Sequence, residues 1–540
     1  MGRGVRTGVI CVVTAALVGG GGWGAYNIVH AVTGVGSGSG RSDTPLTAAK
    51  ATSFVQGFLD SWSGGRYASA ASDTDSPGAA QPALQAFHDG LKLGSLTFGQ
   101  VRADPVAEGS GSAVVHFHAS LTVGAGIGAW SFDNSVTVHQ QNGLDGVAWS
   151  PSVLYPGLKS GENLAAGSVQ APAAQVTDRN GVPLTGSAYP SLTDIVAAIG
   201  THASADRPGK PGTGIAVVDD TGTQKRLVKT VTAPVPGQVR TTLDASLQKT
   251  AEKAVQDSRI EGKPASVVAI DPSDGQIRAV AFNSPNGNTA FNGQLAPGST
   301  FKIITAAALF DRAGLTPSSP APCTSKLAAA SRVITNEDGL APDPNANLLK
   351  AFAISCNTSF VKDGFDDLVH GGNSDVVDEA RDVFGLGTDW SIGGGVYVAD
   401  ASVPEPGLTG DRADELIGQG KVTMNPLALA SMAATVAQGA FHQPVILPGQ
   451  KQQPAARPLS STTDAYLREL MRATASYGTA APVMQGISGG AKTGTAEVAD
   501  HTNGWLAAYD GHLAVGALVE GGTHGYSSAG WVATDLLRAD

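Results

Sequence analysis

Apolar residues in the first part of the chain show helical spacing and then strand-like spacing. They recur every three or four residues along one helix face, formed by Ala51, Phe54, Val55, Phe58, Leu59 and Trp62. The next stretch alternates apolar and polar residues, most clearly at Val115, Phe117, Ala119, Leu121 and Val123. Residues 130–138 and 147–153 continue this alternation. One helix followed by an antiparallel sheet predicts an α+β module over residues 45–157.

The C-terminal half carries strand patterns at both of its ends. Ser266 to Ile270 is a continuous apolar run, and a short turn leads from it into Ile277 to Ala281, which predicts a hairpin. Residues 505–509 and 513–519 predict two more strands, and residues 528–538 predict a closing helix. Strands at both ends of a long helical middle predict one sheet built from distant segments, with a helical subdomain beside it. The predicted fold class is therefore multidomain α+β.

The chain opens with a charge-free stretch, residues 7–29, which two arginines precede. This stretch is about long enough to span a bilayer, and the basic residues would keep the N-terminus in the cytoplasm and the rest outside. A cleaved signal peptide is the alternative, because only residues 9–18 are strongly apolar. The expected order is a cytoplasmic tail (1–6), a transmembrane anchor (7–29) and a flexible Gly/Ser linker (30–44).

Composition narrows the class of protein. A chain of 540 residues with 42% hydrophobic content predicts several domains with real cores. The net charge is −11 and no run is rich in lysine and arginine, which argues against nucleic acid as a partner. Cys323 and Cys356 would share the oxidising exterior if the predicted topology holds. A disulfide between them and two buried free thiols both stay open.

A serine and a lysine one helical turn apart supply the first candidate chemistry. Ser299 follows Pro297-Gly298 and precedes a strongly apolar run, so it is predicted to begin a buried helix. Lys302 then lies on the same face, one turn along. A serine hydroxyl needs a nearby base to act as a nucleophile, and burial favours the neutral, basic form of a lysine. A plain helix cap is the alternative, but a cap does not need a lysine on the apolar face.

Two further motifs follow at wide spacing, Ser355-Cys356-Asn357 and Lys492-Thr493-Gly494-Thr495. The second motif is typical of an edge strand, in which Gly494 would let a substrate approach the backbone and pair with it. Lys492 supplies positive potential for a carboxylate, and the hydroxyls of Thr493 and Thr495 can donate hydrogen bonds to that group. The first motif alone would be a polar helix end. All three motifs together predict a serine acyl-transfer site.

The set of three motifs resembles that of the penicillin-binding proteins and serine β-lactamases. The resemblance implies that Ser299 is the nucleophile, Lys302 the general base and Ser355 a proton relay. It implies that Asn357 holds the peptide backbone of the substrate. It also implies that the backbone N–H groups of Ser299 and Thr495 form an oxyanion hole. Residues 239–540 are therefore expected to form a penicillin-recognising transpeptidase domain.

The segments in front of that domain resemble parts of class B penicillin-binding proteins. Residues 45–157 resemble the NTF2-like domain of the methicillin-resistance type, on the strength of the helix Phe54 to Tyr67 and of Trp149-Ser150-Pro151-Ser152. This module is expected to act as a spacer or docking domain. Residues 158–238, with the turn signal Asp178-Arg179-Asn180-Gly181, resemble the pedestal or dimerisation region.

The family resemblance implies a membrane-anchored D,D-transpeptidase that cross-links peptidoglycan stem peptides ending in D-Ala-D-Ala. β-Lactam antibiotics would acylate the same serine, and no metal or cofactor is implied. A membrane glycan polymerase is implied as a partner, because the segments before residue 239 leave no room for a glycosyltransferase domain. A D,D-carboxypeptidase, a β-lactam sensor or β-lactamase, and a non-catalytic scaffold that binds wall precursors are the alternatives.

Overall fold

The computed structural model describes residues 45–141, 144–329, 331–368, 375–405, 409–498 and 501–539. The predicted tail, anchor and linker lie outside the described residues. The chain divides into two compact units. Each unit is built from two segments of the chain. Unit 1 combines the described residues up to 170 with residues 211–233, and unit 2 combines residues 171–210 with the chain from residue 234 onward.

The helices and strands are numbered in chain order. The α-helices are α1 (Ala48–Ser63), α2 (Tyr67–Ser72), α3 (Pro77–Leu91), α4 (Thr193–Asp206), α5 (Ala245–Ala254), α6 (Thr289–Asn292), α7 (Lys302–Asp311), α8 (Leu348–Ala353), α9 (Asn357–Asp363), α10 (Asp375–Asp382), α11 (Thr409–Glu415), α12 (Pro426–Gln438), α13 (Ser461–Ser476), α14 (Ala481–Met484) and α15 (Ala529–Leu537). The strands are β1 (Ser95–Ala103), β2 (Ser112–Val123), β3 (Gly128–Gln141), β4 (Leu144–Val147), β5 (Glu162–Val169), β6 (Gln175–Thr177), β7 (Gly212–Asp219), β8 (Gln224–Thr232), β9 (Gln238–Arg240), β10 (Ala265–Ile270), β11 (Ile277–Phe282), β12 (Lys326–Ala329), β13 (Arg332–Thr335), β14 (Gly490–Val498), β15 (His501–Tyr509) and β16 (Ala514–Val519).

Unit 1 packs helices against an antiparallel sheet of β1 to β4 in sequential order. Helix α1 begins after Thr47, whose hydroxyl accepts a hydrogen bond from the Lys50 N–H. The buried face of α1 is formed by Ala51, Val55, Phe58, Leu59 and Trp62. The predicted apolar stripe is therefore confirmed except at Phe54, which is only partly buried.

Two elements of unit 1 differ from the sequence prediction. The first helix ends at Ser63 rather than near Tyr67, and α2 and α3 stand between it and the sheet. Helix α3 begins at a proline and buries Ala80, Leu84 and Phe87, a helical spacing that the sequence analysis did not use. Strands β5, β7 and β8 form a second antiparallel sheet in this unit.

Residues 158–238, treated above as one region, contribute to both units. Strands β5, β7 and β8 belong to unit 1, whereas β6, β9 and α4 belong to unit 2. In unit 2 the buried carboxylate of Asp178 accepts hydrogen bonds from the N–H groups of Asn180 and Val182 and from that of Ala245, at the start of α5. The predicted turn at this aspartate is thus confirmed, and it also fixes the beginning of α5.

A twisted antiparallel sheet forms the centre of unit 2, and its described strands have the order β11-β10-β16-β15-β14. Its strands come from both ends of the C-terminal half, as the sequence pattern predicts. Alternate residues of β10 enter different cores, since Val268 and Ile270 pack on one face and Val267 and Ala269 on the other. Both faces are covered, which explains why β10 is a continuous apolar run rather than an alternating one.

Helices cover both faces of this sheet. Helix α12 packs on one face, and α5 and α15 pack on the other. Helix α7 lies in the helical layer and is buried from Lys302 to Phe310. Asp244 caps α5 by accepting hydrogen bonds from two N–H groups of its first turn. In the part of the chain that the structure describes, no helix has the length and apolar character needed to cross a membrane.

Candidate active site

Ser299 lies at the entrance to the buried helix α7. Residues Gly298–Phe301 form a 3-10 turn that leads directly into α7, so the α-helix begins at Lys302 rather than at Ser299. A 3-10 turn is tighter than an α-helical turn. The lysine nevertheless lies beside the serine, with its Nζ 3.0 Å from Ser299 Oγ.

The surroundings of Lys302 favour a neutral, basic amine. Its side chain has no solvent exposure, and its Nζ lies 2.8 Å from the Ser355 carbonyl oxygen and 2.7 Å from Asn357 Oδ1. Burial, followed by the charge of Lys492, lowers the pKa of Lys302 well below its usual value. A neutral amine has two hydrogens and one lone pair. The two oxygens accept the hydrogens, which leaves the lone pair to accept the Ser299 proton.

Ser355 connects the two lysines of the site. Its carbonyl oxygen accepts from Lys302, and its hydroxyl oxygen accepts from Lys492 Nζ at 2.9 Å. The backbone of Ser355 has φ = +62°, a conformation that costs a non-glycine residue about 1 kcal/mol or more. Asn357 Oδ1 lies 3.5 Å from Ser299 Oγ, and its amide donates to the Thr335 carbonyl oxygen at 2.9 Å.

Lys492 is the second lysine with no solvent exposure. Besides Ser355, it donates a hydrogen bond to the Thr493 carbonyl oxygen at 3.0 Å. Burial lowers the pKa of Lys492 to about 7, and the charge of Glu337 acts in the opposite direction. Near neutral pH this amine therefore changes readily between a cation that attracts a carboxylate and a neutral hydrogen-bond donor.

Strand β14 carries the third motif and packs against the turn that holds Ser299. A Cβ atom added to Gly298 would lie 2.5 Å from the Thr495 carbonyl oxygen, and one added to Gly494 would lie 2.6 Å from the Pro297 carbonyl oxygen. From the sequence, Gly494 was predicted to let a substrate approach the backbone. The structure gives a further reason, because the glycine lets this strand meet the backbone just before the nucleophile.

A loop that contains Gly418 supports the same turn from the other side. The Gly298 N–H donates a hydrogen bond to the Gly418 carbonyl oxygen at 2.9 Å. Gly418 has φ = +72°, and a Cβ atom there would lie 2.1 Å from the Gly298 carbonyl oxygen. Only a glycine fits this contact without a backbone shift.

A disulfide bond joins Cys323 and Cys356. Of the two alternatives left open by the sequence, a disulfide or two buried free thiols, the structure therefore has the disulfide. It fastens the middle residue of the second motif to the segment before β12. Asn336 stabilises the same region, since its Oδ1 accepts hydrogen bonds from the N–H groups of Asn357 and Thr358 at 2.9 and 3.1 Å. Asn336 was not predicted from the sequence, because nothing in the local pattern around it indicates this long-range cap.

An acidic group beside the site was also not predicted from the sequence. Glu337 follows Asn336, and its carboxylate accepts a hydrogen bond from Thr495 Oγ1 at 3.3 Å and pairs with His524 Nδ1. The charge of Glu337 acts on the pKa of both Lys302 and Lys492. The structure thus brings together every residue predicted for catalysis and adds a carboxylate next to them.

The chain matches two families of protein domains. Residues 265–538 match the penicillin binding protein transpeptidase domain, and residues 50–162 match the NTF2-like N-terminal transpeptidase domain. The first match covers the three motifs and the central sheet of unit 2. The second covers α1 to α3 and the sheet of β1 to β4. The predicted resemblances to a penicillin-recognising transpeptidase domain and to the NTF2-like domain are confirmed.

The chain is also similar to curated proteins that are named peptidoglycan D,D-transpeptidases. Over 353 residues the chain is 29% identical to the peptidoglycan D,D-transpeptidase PbpA of Mycobacterium tuberculosis, covering 55% of this chain and 70% of the relative. Over 361 residues it is 29% identical to PbpA of Mycolicibacterium smegmatis, covering 57% of this chain and 72% of the relative.

Solved structures share the fold. The penicillin G acyl-enzyme complex of penicillin-binding protein A from M. tuberculosis aligns with a TM-score of 0.53 and 23% identity, covering 69% of this chain and 98% of that one. A structure of a peptidoglycan synthase complex that coordinates polymerization and crosslinking aligns with a TM-score of 0.52 and 23% identity, covering 76% and 77% of the two chains.

Proposed function

Because this chain belongs to the family of penicillin-binding protein transpeptidases, we propose that it cross-links peptidoglycan stem peptides through an acyl-enzyme on Ser299. The observation that carries the proposal is the contact of Ser299 Oγ with a buried lysine whose hydrogens have other acceptors. The relatives named as peptidoglycan D,D-transpeptidases support the same substrate class.

In the acylation half-reaction, Lys302 accepts the proton of Ser299 Oγ while that oxygen attacks the carbonyl carbon of the penultimate D-Ala. The N–H groups of Ser299 and Thr495 stabilise the oxyanion. The C–N bond to the terminal D-Ala then breaks, and the departing nitrogen receives a proton through the Ser355 hydroxyl. Lys492 lies 2.9 Å from that hydroxyl, so it can return a proton to Ser355 and attract the terminal carboxylate of the donor.

In the second half-reaction, the amine of a neighbouring stem peptide attacks the acyl carbon. A new C–N bond forms and the ester bond to Ser299 Oγ breaks. The attacking nitrogen loses a proton through the Ser355 hydroxyl to Lys492, and the serine oxygen recovers a proton from Lys302. Transfer to water instead would make the enzyme a D,D-carboxypeptidase. A β-lactam would acylate Ser299 in the same way as the donor, and the acyl-enzyme complexes of the similar solved structure support this part of the proposal.

The finer parts of the proposal concern location and partners. The apolar segment 7–29 anchors the chain, with the catalytic unit outside the membrane. A membrane glycan polymerase supplies the strands that are cross-linked, and the likeness to a chain of a peptidoglycan synthase complex supports such a partner. A β-lactam sensor or β-lactamase and a scaffold that binds wall precursors remain as rivals.

Product analysis with a stem-peptide donor and an amine acceptor tests the proposed function. Incubation of the purified chain with both peptides should give the cross-linked dimer and one equivalent of free D-Ala per dimer. Release of D-Ala without dimer would indicate a carboxypeptidase. If neither product forms, the non-catalytic scaffold is favoured. Rapid loss of a penicilloyl adduct would instead favour a β-lactamase.

A further inference from the structure

Glu337 presents a carboxylate at the open side of the catalytic site. The residue follows β13, and its side chain and that of His524 are each 42% exposed. His524 stacks on Tyr526, with ring centroids 5.6 Å apart and planes within 7° of each other. The imidazole is therefore held flat beside the carboxylate. The acid remains half open to solvent and to a ligand.

A single residue connects this carboxylate to the nucleophile. Thr495 donates its hydroxyl to Glu337, and its backbone packs against Gly298, the residue before Ser299. Glu337 is thus one hydrogen bond away from the residue of β14 that packs against the serine turn. Its charge also reaches both active-site lysines.

The negative charge of Glu337 has opposite effects on the two substrates of the reaction. The donor presents a terminal carboxylate, which the cationic form of Lys492 attracts and Glu337 repels. The acceptor arrives with an amine that is protonated at neutral pH, and an exposed carboxylate attracts an ammonium group. The charge of Glu337 is therefore unfavourable for binding of the donor carboxylate and favourable for binding of the acceptor ammonium group.

We propose that Glu337, held by Thr495 and His524, binds the ammonium group of the acceptor before the attack on the acyl-enzyme. This inference rests on the proposed transpeptidase function and names a positioning group for its second substrate. The bound ammonium releases one proton to water. The neutral amine then forms the C–N bond while the ester bond to Ser299 Oγ breaks. Its nitrogen loses a second proton through the Ser355 hydroxyl to Lys492, and the serine oxygen recovers its proton from Lys302.

Two amine acceptors of different charge test the proposal on the full chain. A D-Ala-D-Ala donor peptide is supplied at saturation, with either butylamine, which is protonated at neutral pH, or hydroxylamine, which is not. Glu337→Gln should raise the KM for butylamine about tenfold, since it removes the charge and keeps the shape. The KM for hydroxylamine should stay within about twofold, and Glu337→Asp should give an intermediate KM for butylamine.

Asp338→Asn is the matched control, because it removes the same charge one position along the chain from an exposed residue. Its KM for both acceptors should equal that of the wild type. An unchanged butylamine KM in Glu337→Gln, or an equal rise for hydroxylamine, would overturn the proposed role. If the wild-type chain transfers the acyl group to neither amine, the transpeptidase function itself fails and the inference fails with it.

Discussion

Two lysines without solvent exposure form the chemical centre of the site, and burial determines what each can do. Lys302 and Lys492 both contact Ser355, one through its carbonyl oxygen and the other through its hydroxyl. Desolvation lowers the pKa of both amines. The pKa of Lys302 falls further because the charge of Lys492 acts on it. The two amines can thus take different roles, a neutral base and a titrating cation.

The pH dependence of acylation follows from these directions. Lys492 is cationic below a pKa of about 7 and neutral above it, so its attraction for the carboxylate of a penicillin is lost as the pH rises through that value. We expect kcat/KM for acylation by penicillin G to fall on the alkaline side of about pH 7. Stopped-flow measurement between pH 5.5 and 9 checks this, and a rate that climbs steadily to pH 9 would contradict it.

The sequence could predict which residue types take part in the site. Ser299, Lys302 and Lys492 belong to motifs whose residue types and order have a chemical reason, although their individual roles stay predictions. Asn336 and Glu337 escaped prediction for a physical reason. The contacts of Asn336 with Asn357 and of Glu337 with His524 join residues 21 and 187 positions apart in the chain, so no local spacing indicates them.

At the scale of elements, two segments hold the nucleophile's turn in place. The loop at Gly418 accepts a hydrogen bond from the Gly298 N–H, and β14 passes the other side of the same turn. The predicted element boundaries were least accurate here and in unit 1. The sequence predicted that a helix begins at Ser299, but the first turn is a 3-10 turn, which is frequent at the ends of α-helices.

A pair of glycine substitutions separates contact from backbone strain. Gly418 and Gly449 have φ of +72° and +78°, but only a Cβ at Gly418 meets backbone, at 2.1 Å, whereas nothing lies within 4 Å at Gly449. We expect Gly418→Ala to displace the Ser299 turn and slow penicillin acylation at least about tenfold. Gly449→Ala should cost about 1 kcal/mol of stability and leave acylation unchanged.

Acylation kinetics and chemical denaturation of both variants make the comparison. Equal acylation rates in the wild type and Gly418→Ala would show that the loop does not set the geometry of the turn. If Gly449→Ala slowed acylation as much as Gly418→Ala, general destabilisation would explain both effects.

At the scale of the whole molecule, the sequence predicted both domain families but not how the intervening region divides. The expected pedestal, residues 158–238, contributes strands to each unit. Strands β5 and β7 are separated by about forty residues that belong to unit 2, so a linear reading of the chain could not assign them together. Contiguous domain boundaries are therefore a poor description of this part of the chain.

Membrane attachment is a property of the whole molecule that depends on residues 7–29. We expect the full chain to sediment with membranes and a variant lacking residues 1–44 to remain in the supernatant, because the removed segment carries the predicted anchor. The truncated variant should retain penicillin acylation, since the catalytic contacts lie in unit 2. Fractionation followed by penicillin labelling checks both, and a truncated variant that still sediments with membranes would contradict the anchor.

Identification of the acylated residue tests whether Ser299 is the nucleophile that the Lys302 amine activates. Intact-mass and peptide mass spectrometry after incubation with penicillin G should show one adduct on the peptide containing Ser299. Ser299→Ala should show none, while Ser273→Ala, an exposed turn serine of the same unit, should be labelled like the wild type. An adduct on another residue, or one that persists in Ser299→Ala, would show that Ser299 is not the nucleophile.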